Sequence, residues 1–239
     1  MSQRNESVSP AGSGLDRYRH VCVLYGSEDE EHRVLRDFIS EGFPRGDKAF
    51  HIIDAGRRSD HRRLLSELGI DVAATERSGQ LEVRSWEEAH LRPGWFDQQA
   101  MLDLVEEVLT ETKRQGFPFT RWVANMGWAL GSHRGVEDLV EYCTRLNDVA
   151  PRHEATIVCT YDLGRFSASS VIDVLRCHPV AIIRGTVHEN PFYVPSDELL
   201  LELRDRRSEP LSGQGAASFA KAILPQERET DAHDRSSIR

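Results

Sequence analysis

The sequence has no run of lysine and arginine, no CxxC pair, and none of the short fingerprints of hydrolases or nucleotide-binding loops. Each absence removes a class of function. Lys plus Arg number 30 against 39 for Asp plus Glu, giving a formal charge of −9 and a pI of about 5.6, which disfavours a protein that grips nucleic acid through its phosphates. The four cysteines, Cys22, Cys143, Cys159 and Cys177, stand far apart, so their spacing suggests neither a zinc ribbon nor a disulfide framework. Nowhere do about 18 apolar residues run together, and the start MSQRNESVSPAGSG is polar, with no signal-peptide core. These features read as a reduced, soluble, cytoplasmic protein with no membrane partner. GxSxG, HExxH, GxxxxGK[ST] and GxGxxG are all missing, so no catalytic residue and no cofactor is expected.

What is present is an alternation. A chain of 239 residues suits one sizeable domain with tails. Short apolar runs, HVCVLY (20–25), KAFHIID (48–54), QLEVRSW (80–86), RWVANMG (121–127), ATIVCTYD (155–162) and VAIIRGTV (180–187), alternate with segments of helical periodicity. Helices are expected over about 30–41, 60–68, 96–115, 136–149 and 167–176, with Ser59 and Ser167 as N-caps. Several strands are apolar on both parities, as in a parallel sheet covered on both faces. The fold class is therefore α/β, a mostly parallel sheet in a three-layer sandwich. Residues 1–17 and 205–239 are rich in Ser, Gly and charge and are expected as disordered tails around a domain of 18–204.

Ligands of open parallel sheets gather at the carboxyl ends of the strands. That rule selects Tyr25 with Gly26 and Ser27, Asp54, Trp86, Asn125 with Met126 and Trp128, and Tyr161 with Asp162. The mixture of aromatic and polar groups suits a small organic ligand better than a polyphosphate. The turn after the first strand carries Glu28, Asp29, Glu30 and Glu31 and no lysine; these acids complement a helix dipole and are expected to be solvated. His20 and Cys22 share one face of the first strand, and Cys159 lies on another apolar strand. A metal site there is the less favoured reading, because spacing fixes no third or fourth ligand.

The blocks HVCVLYGSEDEE, LRDFISEGFPRGDKAFHIID, SGQLEVRSWEEAHLRPGWFD, TRWVANMGWAL, CTYDLGRFSASSVIDVLRCHPVAIIRG and ENPFYVPSDELL together resemble the MEDS domain (methanogen/methylotroph, DcmR sensory). The resemblance runs from about His20 to Leu201. It implies a ligand-sensing module, with small hydrocarbon derivatives as proposed inputs, often attached to helix-turn-helix, kinase-like or anti-sigma-factor parts. Its layout is also similar to RecA-type ATPases of the circadian-clock class, with a phosphate loop that has lost its lysine and its magnesium hydroxyl. Carried over by position, the family's motif residues are His20, Cys22 and Tyr25; Arg121, Met126 and Trp128; Cys159, Tyr161, Asp162 and Phe166; and His178, Asn190 and Tyr193. The chain departs from the usual pattern at Asn125 and Gly127, where acids commonly stand, and at Cys143, where Glu is usual.

The reading that follows is a non-catalytic sensory domain signalling to a regulatory protein partner or by self-association, since no effector pattern is seen after Leu201. Its small organic ligand is expected among Tyr25, Arg121, Asn125, Met126, Trp128, Cys159, Tyr161 and Asp162, with Arg121 as counter-ion to Asp162 or as a handle for an anion. The alternative is a degenerate RecA-like nucleotide-binding protein or pseudo-ATPase.

Overall fold

The computed structural model describes residues 14–208. Seven strands form one sheet in the order β3-β2-β4-β5-β1-β6-β7. They are β1 (His20–Tyr25), β2 (Lys48–Ile53), β3 (Leu81–Ser85), β4 (Thr120–Asn125), β5 (Ala155–Asp162), β6 (Val180–Ile183) and β7 (Thr186–Glu189). All neighbouring pairs are parallel except β6 with β7. Every residue of β1 and β2 is buried, which explains their lack of polar alternation. The expected strand over 180–187 is in fact two. Arg184 and Gly185 both adopt positive φ, 52° and 74°, the requirement of a two-residue hairpin turn, so β7 folds back antiparallel and closes the sheet edge.

Helices cover both faces. One side carries α1 (Glu28–Ser40), α2 (Gly42–Arg45), α3 (Arg58–Glu67) and α4 (Val72–Arg77), and the other α5 (Gln98–Arg114), α6 (Leu139–Val149), α7 (Ala168–Cys177) and α8 (Ser196–Ser208). The alternation of Cβ directions divides the strands between two cores. Val21, Val23, Ala49, Val123 and Val158 pack with Val34, Leu35 and Phe38 of α1. Cys22, Phe50, Trp122, Cys159 and Tyr161 pack with Val105 of α5 and Leu146 of α6.

Helix starts follow local chemistry. Asp97 caps α5 by accepting from the backbone N–H of Gln99 and Ala100, and Ser167 caps α7 through Ser170. Ser59 is no cap: it lies inside α3, and Asp54 caps the preceding 3-10 turn by accepting from Gly56. The expected tails fall mostly outside the described residues. Where they do not, they are ordered, because Leu15 is buried against the first core and α8 continues to Ser208.

Arg121 illustrates how this covered sheet treats a charge. It stands near the start of β4, 2% exposed, and its Nε donates to Asp47 Oδ2 at 2.8 Å while Nη1 donates to the Phe38 carbonyl at 2.8 Å. A Cβ on Gly42 would stand 2.5 Å from Arg121 Cδ, so only glycine leaves room for the guanidinium. Removing one partner of a buried pair strands the other charge, at about 3–5 kcal/mol. Asp47→Ala is expected to lower unfolding stability by about that amount in urea titration. A change under about 1 kcal/mol would show that water reaches the pair.

Candidate functional site

The turn between β1 and α1 is only Gly26 and Ser27. Ser27 Oγ accepts from Glu30 N, and Glu30 Oε2 accepts from Gly26 N at 2.8 Å. Two of the donors a phosphate would use at this helix start, Gly26 N and Glu30 N, are thus engaged by the chain's own side-chain oxygens. A two-residue turn is also too short to wrap a phosphate as a glycine-rich loop does.

A buried polar knot lies behind this turn. Glu31, expected as a solvated acid, is buried. Its Oε1 accepts from Thr160 Oγ1 at 2.6 Å and from Asn125 Nδ2 at 3.2 Å, and Asn125 Nδ2 also lies 3.4 Å from the Tyr25 hydroxyl. Asn125 Oδ1 accepts from Gly127 N, and its carbonyl accepts from Trp86 Nε1 at 2.9 Å. Burial, then the Glu31 carboxylate, pushes the Tyr25 phenol up, so it stays protonated while its oxygen accepts from Asn125 Nδ2. Arg57 reaches Glu28 at 3.1 Å and Glu31 at 3.7 Å.

This knot floors a cavity of about 410 Å³ between α1 and α3, within the range of small-molecule sites. Leu35, Ile39, Ile53, Leu64 and Val123 supply an aliphatic wall, and the polar lining includes Glu31, Asn125, Arg57 and His61 together with Asp54, Asp60 and further charged side chains of α1 and α3. The place follows from topology. The helices after β1 and β2 cover one face and those after β4 and β5 the other, which opens a crevice at the strand ends. Beside it, His51 Nδ1 and His61 Nε2 share a hydrogen bond of 2.8 Å.

The expected ligand residues therefore do not form one site. Asn125 lines the cavity and Tyr25 supports it. Met126, Trp128, Cys159 and Tyr161 are buried in the opposite core, behind the sheet. Trp128 stacks on His90 with ring centroids 5.0 Å apart, and the Tyr161 hydroxyl lies 3.7 Å from Cys143 Sγ. Arg121 is neither a counter-ion to Asp162 nor a ligand handle. It lies four residues before Asn125 on β4, about 13 Å away along an extended strand. Asp162 accepts from Gly164 N at 2.8 Å and shapes the turn after β5.

The sequence reading missed Glu31, Arg57 and His61 in the cavity. Helical spacing could have flagged Glu31, which falls on the apolar stripe of α1 with Val34, Leu35 and Phe38. In the other core it missed how the topology gathers residues. Cys22 pairs in register with Cys159, and His20, Cys159 and His178 each offer a ligand atom within 4.8 Å of the others. Cys22, the other expected metal candidate, is outside that group and turns its thiol to the Val180 carbonyl at 3.7 Å.

Burial also lowers three other histidines: His51 well below its usual value, also through His61; His61 to about 4, also through His32 and Arg57; and His90 to about 3, against an opposing pull from Cys143. Each binds its proton more weakly folded than in the unfolded chain, where the value is about 6.5. Their contribution is complete above pH 6.5 and is lost as pH falls below it, towards about 4 for His61. Thermal midpoints are expected to be flat from pH 7 to 8 and to fall steadily from about pH 6.5 downward, each group adding up to about 1.4 kcal/mol per pH unit. Replacing His61 with Gln should flatten part of that fall. A midpoint unchanged between pH 7 and 5 would show that these imidazoles are not held neutral.

Comparison with known proteins follows the same lines. The family described as MEthanogen/methylotroph, DcmR Sensory domain (MEDS) matches residues 19–179. The transcriptional repressor DcmR of Methylorubrum extorquens (strain DSM 6343 / CIP 106787 / DM4) is 26% identical over 170 residues, 70% of this chain and 61% of the repressor. The chain thus spans about three fifths of that relative's length. Among solved structures, a KaiC-like protein from Pyrococcus horikoshii OT3 superposes with a TM-score of 0.52 at 15% identity, covering 73% of this chain and 80% of that one. The fold is RecA-like. No helix among the described residues is long and apolar enough to cross a membrane.

Proposed function

The chain belongs to the MEDS family, and from that premise we propose that it is a non-catalytic sensory domain that binds a small organic molecule between α1 and α3 and relays the bound state to a cytoplasmic regulatory partner. The carrying observation is a cavity with an aliphatic wall and buried polar groups between α1 and α3, next to a β1–α1 turn whose Gly26 N–H is already taken by Glu30. A ligand of mainly hydrocarbon character with one hydroxyl, carbonyl or halogen would fill the aliphatic wall and address Asn125 or His61. The name of the repressor relative supports control of transcription as the output.

The relay would run through α1. Glu31 ties this helix to Thr160 on β5 and Asn125 on β4, and a ligand competing for Asn125 or Glu31 would loosen that tie. Signalling requires the ligand to bind the tied and loosened states unequally, since equal affinity shifts nothing.

Thermal shifts with small alcohols, aldehydes, halocarbons and carboxylic acids, alongside magnesium ATP and GTP, test this reading. A compound at about 100 times its Kd adds about 2.7 kcal/mol, or roughly 5–10 °C. One organic class is expected to shift the midpoint, and Leu64→Trp, which fills the cavity, should abolish that shift while the apo midpoint holds. Stabilisation by nucleotide alone would overturn the sensor reading and favour a degenerate nucleotide-binding protein. A shift that survives Leu64→Trp would move the ligand to another site.

A further inference from the structure

We propose that the core between β1, β5, α6 and α7 is a zinc site, with His20, Cys159 and His178 as three ligands and Cys143 as the fourth. The three inner residues come from β1, β5 and the segment between α7 and β6, and each is buried. His20 Nε2 lies 3.8 Å from Cys159 Sγ. With Zn–N of about 2.0–2.1 Å and Zn–S of about 2.3 Å, ligand atoms of a tetrahedral site stand roughly 3.3–3.8 Å apart. The group, within 4.8 Å overall, needs to close by roughly 1 Å to hold the ion.

Both imidazoles are oriented as metal ligands are. Asn147 Nδ2 donates to the Cys177 carbonyl, so Asn147 Oδ1 is left to accept from His20 Nδ1 at 2.9 Å. His20 Nε2 then carries a lone pair aimed at Cys159. His178 Nδ1 donates to the Val174 carbonyl at 2.8 Å, so its Nε2 also carries a lone pair, and that atom is buried with no hydrogen-bond partner among the described residues. An outer carbonyl or amide fixing one nitrogen while the other faces inward is the usual second shell of a histidine ligand. Without an ion, His178 Nε2 is an uncompensated buried acceptor.

Cys143 completes the set. It is buried on α6 with its Sγ 3.7 Å from the Tyr161 hydroxyl, in the same core as Cys159, and it stands outside the 4.8 Å group, so its side chain must turn inward to bind. Two thiolates with two neutral imidazoles balance a dication, which a closed core without a carboxylate in the cluster requires. Binding would deprotonate Cys143 and Cys159, releasing two thiol protons, with no change of oxidation state. Sequence spacing hid the set because its members are scattered along the chain and meet only through the parallel register of β1 with β5.

The test uses the full chain, stripped with chelator and reloaded with zinc, cobalt or cuprous ion under reducing, anaerobic conditions, then passed over a chelating resin. The expected result is one zinc per chain by elemental analysis, and with cobalt the strong visible bands of a tetrahedral site plus a thiolate charge-transfer band. Cys159→Ala and the double change His20→Gln with His178→Gln should each weaken zinc at least tenfold. Cys143→Ala should do the same, whereas Cys22→Ala, whose thiol faces the Val180 carbonyl, should retain full loading. Circular dichroism separates lost binding from lost folding, and the wild-type cobalt spectrum decides the matter should a variant not fold. Substoichiometric zinc with no tetrahedral cobalt spectrum would overturn the site. Cuprous loading alone, unaffected by Cys143→Ala, would overturn the four-ligand zinc assignment.

Discussion

A parallel sheet covered by helices on both faces leaves its central strands no water, so each polar side chain on β1, β2, β4 and β5 must find its partner within the protein. Much of the architecture follows from that demand. Arg121 has Asp47 and the Phe38 carbonyl, Thr160 has Glu31, and Thr156 donates to the Tyr18 carbonyl at 2.6 Å. The last contact explains why the 3-10 turn at Leu15–Arg17 is part of the folded unit: it delivers both Leu15 to the core and an acceptor to β5.

The same demand gives meaning to the polar atoms that do not meet it. Among the described residues, His51 Nε2, both nitrogens of His90, Trp128 Nε1, His178 Nε2, Gln98 Oε1, Arg145 Nε and the one remaining nitrogen of Arg121, Nη2, are buried without hydrogen-bond partners. Stacking on Trp128 compensates His90 only in part, because ring contact does not replace a hydrogen bond. The imidazoles lie beside the α1–α3 cavity or in the cysteine-rich core, and in neither place does packing alone account for the residue type. Val or Leu at those positions would fill comparable space without the desolvation cost. The RecA-like scaffold is held by the aliphatic strands; the imidazoles are extra.

The fold was legible because its signals are local. Runs such as HVCVLY and ATIVCTYD are apolar on both parities and coincide with β1 and β5, and Ser167 announces α7. The β6–β7 hairpin was not, since its turn pairs an arginine with a glycine, and the arginine's positive φ leaves no mark on composition. The site was half legible. The strand-end rule found Asn125, Asp54 and Tyr25, but it could not tell which face each strand's last residues point to. Successive residues alternate, so Asn125 and Met126, or Thr160 and Tyr161, look like one cluster in sequence and are separated by the sheet. The acids of α1 misled for a related reason: a dipole argument treats them alike, whereas helical spacing turns Glu31 inward and leaves Glu28 beside Arg57.

That alternation also fixes how the two sides of the molecule can communicate. Cys159 and Thr160 are neighbours on β5, one facing the His20–His178 group and the other bonded to Glu31 of α1. His20 and Tyr25 begin and end β1, so each strand carries one residue to each side. Because β5 is hydrogen-bonded on both edges, to β1 and to β4, its register fixes both contacts together: the same strand that holds Cys159 beside His20 holds Thr160 under Glu31.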